Sequence, residues 1–270
     1  MLAAEGVRKR FGGLAALDGA SIEVREGEIV ALVGPNGSGK STLLNVLSGF
    51  QAPDDGEVTF AGHRVDGLDP WDVSRLGLRR TFQLAAQPTR MTVLEVMLSG
   101  ARLPQGASAW RCLAWPRRVC TEERTALVRA RDMLEELTLL PLEHHAAGQL
   151  SGGQQKLLSL GAALMGDPGM LLLDEPTAGV NPTLRRTLAE RMRDIRSRGT
   201  TLLIVEHDMG FVAELCDRVY VLDHGRVITE CAPSELADDP RVVEAYLGST
   251  RPGGSGPAAR KVVERPEARA

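Results

Sequence analysis

The residues Gly34-Pro35-Asn36-Gly37-Ser38-Gly39-Lys40-Ser41 combine three glycines with one ammonium and one hydroxyl at fixed spacing. Glycines let main-chain N–H groups close around an anion, and a helix that follows turns its positive end toward it. Lys40 adds a point charge for the outer phosphates of a nucleotide, and the Ser41 hydroxyl is a ligand for Mg²⁺. Thr42 continues into the helix. A second constellation is Asp174-Glu175, two carboxylates ending the apolar run Met170-Leu-Leu-Leu. Asp174 suits a water-mediated Mg²⁺ contact, and Glu175 can orient or deprotonate an attacking water. A third is His207, directly after the run from Thr200 to Glu206, placed to meet a γ-phosphate. Leu150-Ser151-Gly152-Gly153-Gln154 opens a long apolar helix. Serine there is an N-cap, and the two glycines beside it make a second anion cradle. One nucleotide does not need two cradles, so the second is expected to serve a nucleotide bound by another subunit.

These residues need elements that hold them. Glu28–Val33 is a short apolar run rich in β-branched residues, the pattern of a strand buried on both faces. It feeds the 34–39 loop, and a helix follows from Ser41. Ser21–Arg25 alternates polar and apolar, and Val58–Gly62 reads as an edge strand. From about 84 to 150 the character is helical, with helices predicted over 92–102 and 122–140. The segment 103–121 between them is irregular and holds Trp110 and Trp115. From Met170 strand and helix alternate again, with a helix over 182–198. Alternation implies parallel strands with crossovers. The expected fold is α/β, interrupted by a helical lobe.

Composition narrows the classes. The chain has 270 residues, enough for a sizeable core, and a net charge of −3, so no general basic field recruits nucleic acid. No apolar run approaches the ~18–20 residues that cross a bilayer. The first ten residues mix acid and base where a signal peptide needs an apolar stretch. Cys112, Cys120, Cys216 and Cys231 form no metal-type spacing and are expected as free thiols in a reducing cytosol. The adjacent His144 and His145 are read as a solvated loop. Arg185, Arg186, Arg191, Arg193, Arg196 and Arg198 lie opposite Leu184, Leu188, Met192 and Ile195, which reads as an amphipathic helix with a charged solvent face. Residues 249–270 are dominated by Gly, Pro and Ala and are expected to be a disordered tail.

The constellations together resemble an ATP-binding-cassette (ABC) ATPase. The resemblance runs in order over residues 2–248: a Walker A loop at 34–41, a Walker B strand at 170–174, the signature Leu-Ser-Gly-Gly-Gln at 150–154 and a switch histidine at 207. Gln83, ending Arg80-Thr-Phe-Gln, matches the family's Q-loop, and Phe11 matches the aromatic that stacks on adenine. Arg-Phe-Gly-Gly-Leu at 10–14, Arg-Thr-Phe-Gln at 80–83, Ala-Gly-Val-Asn-Pro at 178–182 and Val-Val-Glu-Ala-Tyr-Leu-Gly at 242–248 are similar to the ATP-binding subunits of branched-chain amino-acid importers, and of the related urea and amide importers. Leu157 and Ala162 stand where many cassettes carry basic residues, and Asn181 where many carry aspartate.

The resemblance implies a P-loop NTPase ABC cassette over 1–248, with an antiparallel β subdomain and a helical subdomain inserted at about 84–150. It implies ATP and Mg²⁺ as cofactors. Glu175, His207 and Gln83 would be catalytic, and Ser41, Gln83 and Asp174 would meet the metal. Phe11, Gly34, Pro35, Asn36, Gly37, Ser38, Gly39, Lys40, Ser41, Thr42, Ser151, Gly152, Gly153 and Gln154 would hold the nucleotide. The implied partners are integral membrane permease subunits, a second cassette and, indirectly, an extracytoplasmic solute-binding protein, with no nucleic acid. The implied location is cytoplasmic, peripheral on the inner face of the cell membrane. The alternatives are a urea or amide importer ATPase, an exporter ATPase, or a cassette outside transport. The last usually carries two cassettes or a long coiled coil, and this chain has neither. The 103–121 insertion and Arg-Thr-Phe-Gln argue against an exporter.

Overall fold

The computed structural model describes residues 1–81, 90–101, 116–236 and 238–248. Two sheets organise it. A six-stranded sheet has the order β10-β9-β3-β8-β7-β6, and a four-stranded antiparallel sheet the order β2-β1-β4-β5. In the larger sheet β3 (Ile29–Val33), β6 (Leu78–Arg80), β7 (Met170–Asp174), β8 (Thr201–Val205) and β9 (Arg218–Asp223) pair in parallel, and β10 (Arg226–Cys231) closes the edge antiparallel. The smaller sheet is β1 (Leu2–Phe11), β2 (Leu14–Val24), β4 (Asp55–Phe60) and β5 (His63–Arg64).

The central strands are apolar at nearly every position because each face of the sheet meets a separate core. Leu171, Leu173, Leu202 and Ile204 join one core, made with the helices. Their neighbours Met170, Leu172, Leu203 and Val205 join another, which also takes Leu43, Leu44 and Leu47 of α1 (Lys40–Leu47) and Leu2, Val7 and Leu17 of the antiparallel sheet. Successive strand side chains point to opposite faces, so a sheet covered on both sides yields an unbroken apolar run.

The helical layer consists of α3 (Val93–Ser99), α4 (Pro116–Glu136) and α5 (Gly152–Leu164), which share the first core through Val96, Met97, Leu134 and Leu157. Thr92 and Glu95 form a capping box that starts α3, and α3 ends at Ser99 rather than at 102, with Gly100 as its C-cap. Helix α4 begins at Pro116, six residues before the expected start, so the irregular reading fails for 116–121. Proline is well tolerated in a first helical turn, and no breaker follows it. The same helix stops at Glu136, short of 140, where Thr138 turns left-handed at φ 59° and Pro141 follows.

The arginine-rich helix α6 (Pro182–Ser197) buries Leu188, Met192 and Ile195, as the periodicity predicts. Most of its arginines face carboxylates, among them Arg185 to Asp208, Arg193 to Glu214 and Arg196 to Asp217. Helix α2 (Pro70–Leu76) precedes β6, α7 (Met209–Leu215) follows β8, and α8 (Pro240–Gly248) is the last helix described. Cys120, Cys216 and Cys231 are free thiols, and burial pushes Cys216 up to about 12. Gln83, Cys112, both insertion tryptophans and the 249–270 tail lie outside the described residues.

Candidate nucleotide site

Strands β3, β8 and β7 are neighbours in the parallel sheet, so their C-terminal ends lie side by side. In open α/β sheets that edge is where ligands bind. The loop after β3 carries Lys40 and Ser41, the end of β7 carries Asp174 and Glu175, and the residues after β8 carry His207. Three constellations spread over more than 160 positions of sequence thus meet at one place.

The 34–39 loop is built on left-handed backbone. Gly37 and Gly39 have φ of 80° and 108°, and Gly39 is the N-cap of α1. At Gly34 a Cβ would sit 2.1 Å from the Leu222 carbonyl oxygen, so only glycine passes beneath the β9 turn. Gly34, Pro35 and Ser38 are buried, while Asn36 and Gly37 stand exposed. The Lys40 ammonium lies back over the loop and donates to the carbonyls of Gly34 and Pro35, both at 2.8 Å. Burial pushes its pKa down, and the carboxylates of Glu175 and Asp174 oppose that shift. A partly desolvated cation seated over this loop can meet phosphate oxygens. Ser41 is exposed at the first turn of α1, with Thr42 half-buried beside it.

Glu175 leaves the end of β7 at φ 47°, and its N–H donates to Val205 O at 2.9 Å. Its Oε1 lies 3.9 Å from Nδ1 of His207, so carboxylate and imidazole face each other. Both side chains reach solvent. Asp174 is nearly covered, and its Oδ2 accepts from Nη2 of Arg80. Among the described residues no three His, Cys, Asp or Glu side chains cluster to hold a metal ion. The Ser41 hydroxyl and the Asp174 carboxylate would suit an Mg²⁺ that arrives with phosphates rather than an all-protein cage.

Phe11 ends β1, half exposed, opposite the more exposed Leu14 across the Gly12-Gly13 turn. The same hairpin is tied to the loop. A Cβ on Gly39 would sit 2.4 Å from Ala16 O, and Gly225 accepts from Asp18 N–H while donating to Ser38 O. Ser151 is the N-cap of α5, and Gly152 and Gln154 lie in its first turn. Ser151 Oγ accepts from Gln154 N–H, and Gln154 Oε1 accepts from Ser151 N–H at 2.9 Å. Gly153 is buried where a Cβ would meet Leu184 Cδ2 at 2.0 Å, so this turn packs directly against α6.

Three residues that sequence reasoning missed belong here. The sequence places Arg80 in a motif without giving it a role, and it places Lys156 in a helix and Glu206 at a strand end. Glu206 is fully buried and accepts from Thr177 and from His207 N–H. A carboxylate ending an apolar strand beside histidine was the available signal.

A family model described as ABC transporter matches residues 17–178. A second, an AAA domain described as a putative AbiEii toxin of a type IV toxin–antitoxin system, matches residues 145–213. The chain is 40% identical to a probable branched-chain amino acid transport ATP-binding protein LivG of Archaeoglobus fulgidus, over 92% of this chain and 96% of the relative. It is 37% identical to the high-affinity branched-chain amino acid transport ATP-binding protein LivG of Salmonella typhimurium, over 92% and 98%.

The chain belongs to the ABC transporter family.

Solved structures agree with the fold. A nucleotide-free ATP-binding cassette from an ABC transporter superposes with a TM-score of 0.80 at 38% identity, over 91% of this chain and 98% of that one. The ADP conformation of an ATP-binding cassette matches equally well, at 39% identity over 92% and 98%. A dimeric bacterial ABC transporter cassette matches with a TM-score of 0.71 at 27% identity, over 86% and 99%. The cassette is therefore a nucleotide-binding P-loop ATPase with an antiparallel β sheet and a helical layer added to its α/β core.

Proposed function

We propose that this cassette is the ATP-hydrolysing subunit of an importer for branched-chain amino acids, driving uptake through separate membrane subunits. The observation that carries the ATPase site is the meeting of Lys40, Asp174, Glu175 and His207 at one sheet edge, with His207 3.9 Å from Glu175. The solute rests on the printed names of the relatives.

In this reading residues 1–248 form the cassette, residues of about 84–150 its helical subdomain, and 249–270 a tail. Phe11 stacks on the adenine. Main-chain N–H groups of Gly34, Pro35's successors Asn36 to Lys40, Ser41 and Thr42 cradle the phosphates, with the Lys40 ammonium on the outer ones. Ser41 and Asp174, with Gln83, would hold Mg²⁺, which when bound neutralises charge on the phosphates. Glu175 orients the attacking water and takes its proton, and His207 donates to the γ-phosphate from the facing side. Ser151, Gly152, Gly153 and Gln154 serve the nucleotide of a second cassette, so each site is completed by two subunits.

No helix among the described residues is long and apolar enough to cross a membrane. In this reading permease subunits supply the pore, and the chain is peripheral on the cytoplasmic face. A cleft of about 430 Å³ between α1, α2, β6 and the helical layer suits that contact. Its rim carries Phe50 and Trp71, 50% and 72% exposed, an unusual outlay of aromatic surface.

Glu175→Gln keeps the side chain's shape and removes the base, so hydrolysis should slow by ~10²–10⁴ while ATP still binds. Light scattering with MgATP should then find an ATP-bound dimer, alone or with a second cassette. Ser151→Arg should abolish turnover and leave ATP binding by the monomer intact. A Glu175→Gln protein that stays monomeric under all those conditions overturns the shared site. For the solute, Lys40→Ala in the source cell should abolish uptake of labelled leucine and leave urea uptake unchanged. The reverse pattern overturns the amino-acid assignment.

A further inference from the structure

Glu175 occupies the left-handed region of backbone space, which residues with a Cβ seldom adopt and which persists only where the surroundings hold it. The next residue is Pro176, which has no N–H to contribute. The turn is held from outside instead. The carbonyl of Glu175 accepts from the Lys156 ammonium at 2.7 Å and from Ala178 N–H at 3.2 Å. Two residues on, Thr177 donates its N–H and its hydroxyl to Oε1 of Glu206, at 2.8 and 2.7 Å. The other oxygen of Glu206 accepts from His207 N–H at 3.1 Å. Thr177 and Glu206 are buried, and Lys156 is half-buried.

We propose that Lys156, on helix α5, is a positioning residue for Glu175: its ammonium grips the Glu175 carbonyl and so aims the carboxylate at the attacking water. This rests on the reading of Glu175 as the hydrolytic base. In this role Lys156 acts through the main chain of its neighbour. A charged donor on a carbonyl is stronger than a neutral one, and it is directed where burial excludes competing water. Burial pushes the pKa of this lysine down, while Glu206 and Glu175 oppose that shift. The buried Glu206 clamps the far end of the same turn, so the base and His207 are placed by one hydrogen-bonded unit. Lys156 comes from the helix whose first turn is Ser151 to Gln154, so the signature helix also sets the geometry of its own subunit's base.

The test uses the full-length chain with Lys156→Met, which keeps the aliphatic stem, and Lys156→Arg, which keeps a donor. Catalytic groups displaced by about 1 Å lose ~10²-fold, so Lys156→Met should lower kcat ~10–100-fold. Calorimetry should find the Kd for MgATP within about twofold of wild type, since binding groups are untouched. Lys156→Arg should recover most of the rate. Added to Glu175→Gln, Lys156→Met should remove no further rate, because the base it aims is already gone. Should the methionine variant not fold, Lys156→Gln is read by the same measures. Wild-type kcat in Lys156→Met, an equal loss in both backgrounds, or an arginine variant as slow as the methionine one overturns the proposal. Full turnover in Glu175→Gln alone overturns the reading of the base, and with it this assignment.

Discussion

Arg80 and Asp174 form a covered ion pair across the parallel strands β6 and β7. Nη2 of Arg80 donates to Oδ2 of Asp174 at 2.9 Å, with the side chains 11% and 8% exposed. Nη1 of the same guanidinium donates to Oδ1 of Asn45 on α1 at 2.6 Å. One arginine therefore joins the strand that leads toward Gln83, the strand that carries the carboxylates and the helix that follows the phosphate loop.

Removing that arginine should leave a covered carboxylate without its hydrogen-bonding partner. Breaking one side of a buried pair costs about 3–5 kcal/mol, so Arg80→Met should lower unfolding stability by that order in urea titrations. The double variant Arg80→Met with Asp174→Asn should recover part of the loss, because the stranded charge is gone. A single variant with wild-type stability would show that the pair contributes nothing.

Lys40→Ala should remove a charge-assisted contact to phosphate worth about 1.5–3 kcal/mol. ATP affinity measured by calorimetry with Mg²⁺ should fall at least tenfold. The Lys40 ammonium already bonds two loop carbonyls, so the loop itself should loosen as well, which hydrogen exchange at Gly37–Gly39 would report. Unchanged affinity would remove Lys40 from the site.

Phe11→Ala should raise KM for ATP and leave kcat nearly constant, the pattern of binding lost equally from ground and transition states. The ring is half exposed at the end of β1 in the antiparallel sheet, whereas Glu175 and His207 follow strands of the larger sheet. A large fall in kcat at constant KM would contradict the stacking role.

Acid should release the last helix. At the start of α8, Asp239 accepts from the N–H of Arg241 and from its guanidinium, and its carbonyl accepts from Val242 and Val243. The side-chain hydrogen bond from Arg241 holds the Asp239 carboxyl well below the usual carboxylate range. The native state then binds fewer protons than the unfolded state, so this stabilisation is complete above the ordinary carboxylate pKa and is lost as pH falls below it. Val242 packs in the core with Val33 and Val219, so α8 is tied to the strand behind the phosphate loop. Asp239→Asn should lower the Tm at pH 7, and its difference from wild type should shrink as pH drops toward 3. A difference that grows on acidification would rule this out.

Much of the site was legible because its parts are local. The phosphate loop needs glycines at positions set by its own backbone, and the strand before it and helix after it are its immediate neighbours in sequence. The same holds for the capping pair Ser151 and Gln154, three residues apart on one turn. The apolar runs at 28–33, 170–173 and 200–206 read as buried strands because both faces of the sheet are covered. Strand β1 was less distinct, since register shifts after Ala4, Val7 and Lys9 break the period-2 pattern. Helix α4 was begun too late because its first turn, Pro116-Arg-Arg, carries no apolar periodicity.

The sequence alone thus determined which groups could handle phosphate, water and metal, and which elements carry them, because those requirements act over a few neighbouring residues. Only the tertiary structure decided that β3, β8 and β7 stand side by side, that Arg80 pairs with Asp174, and that Lys156 and Glu206 grip the turn at Glu175. The reason is physical: a parallel sheet joins strands through long crossovers, so strand order and the polar contacts across it depend on how distant segments pack, and no spacing along the chain records them.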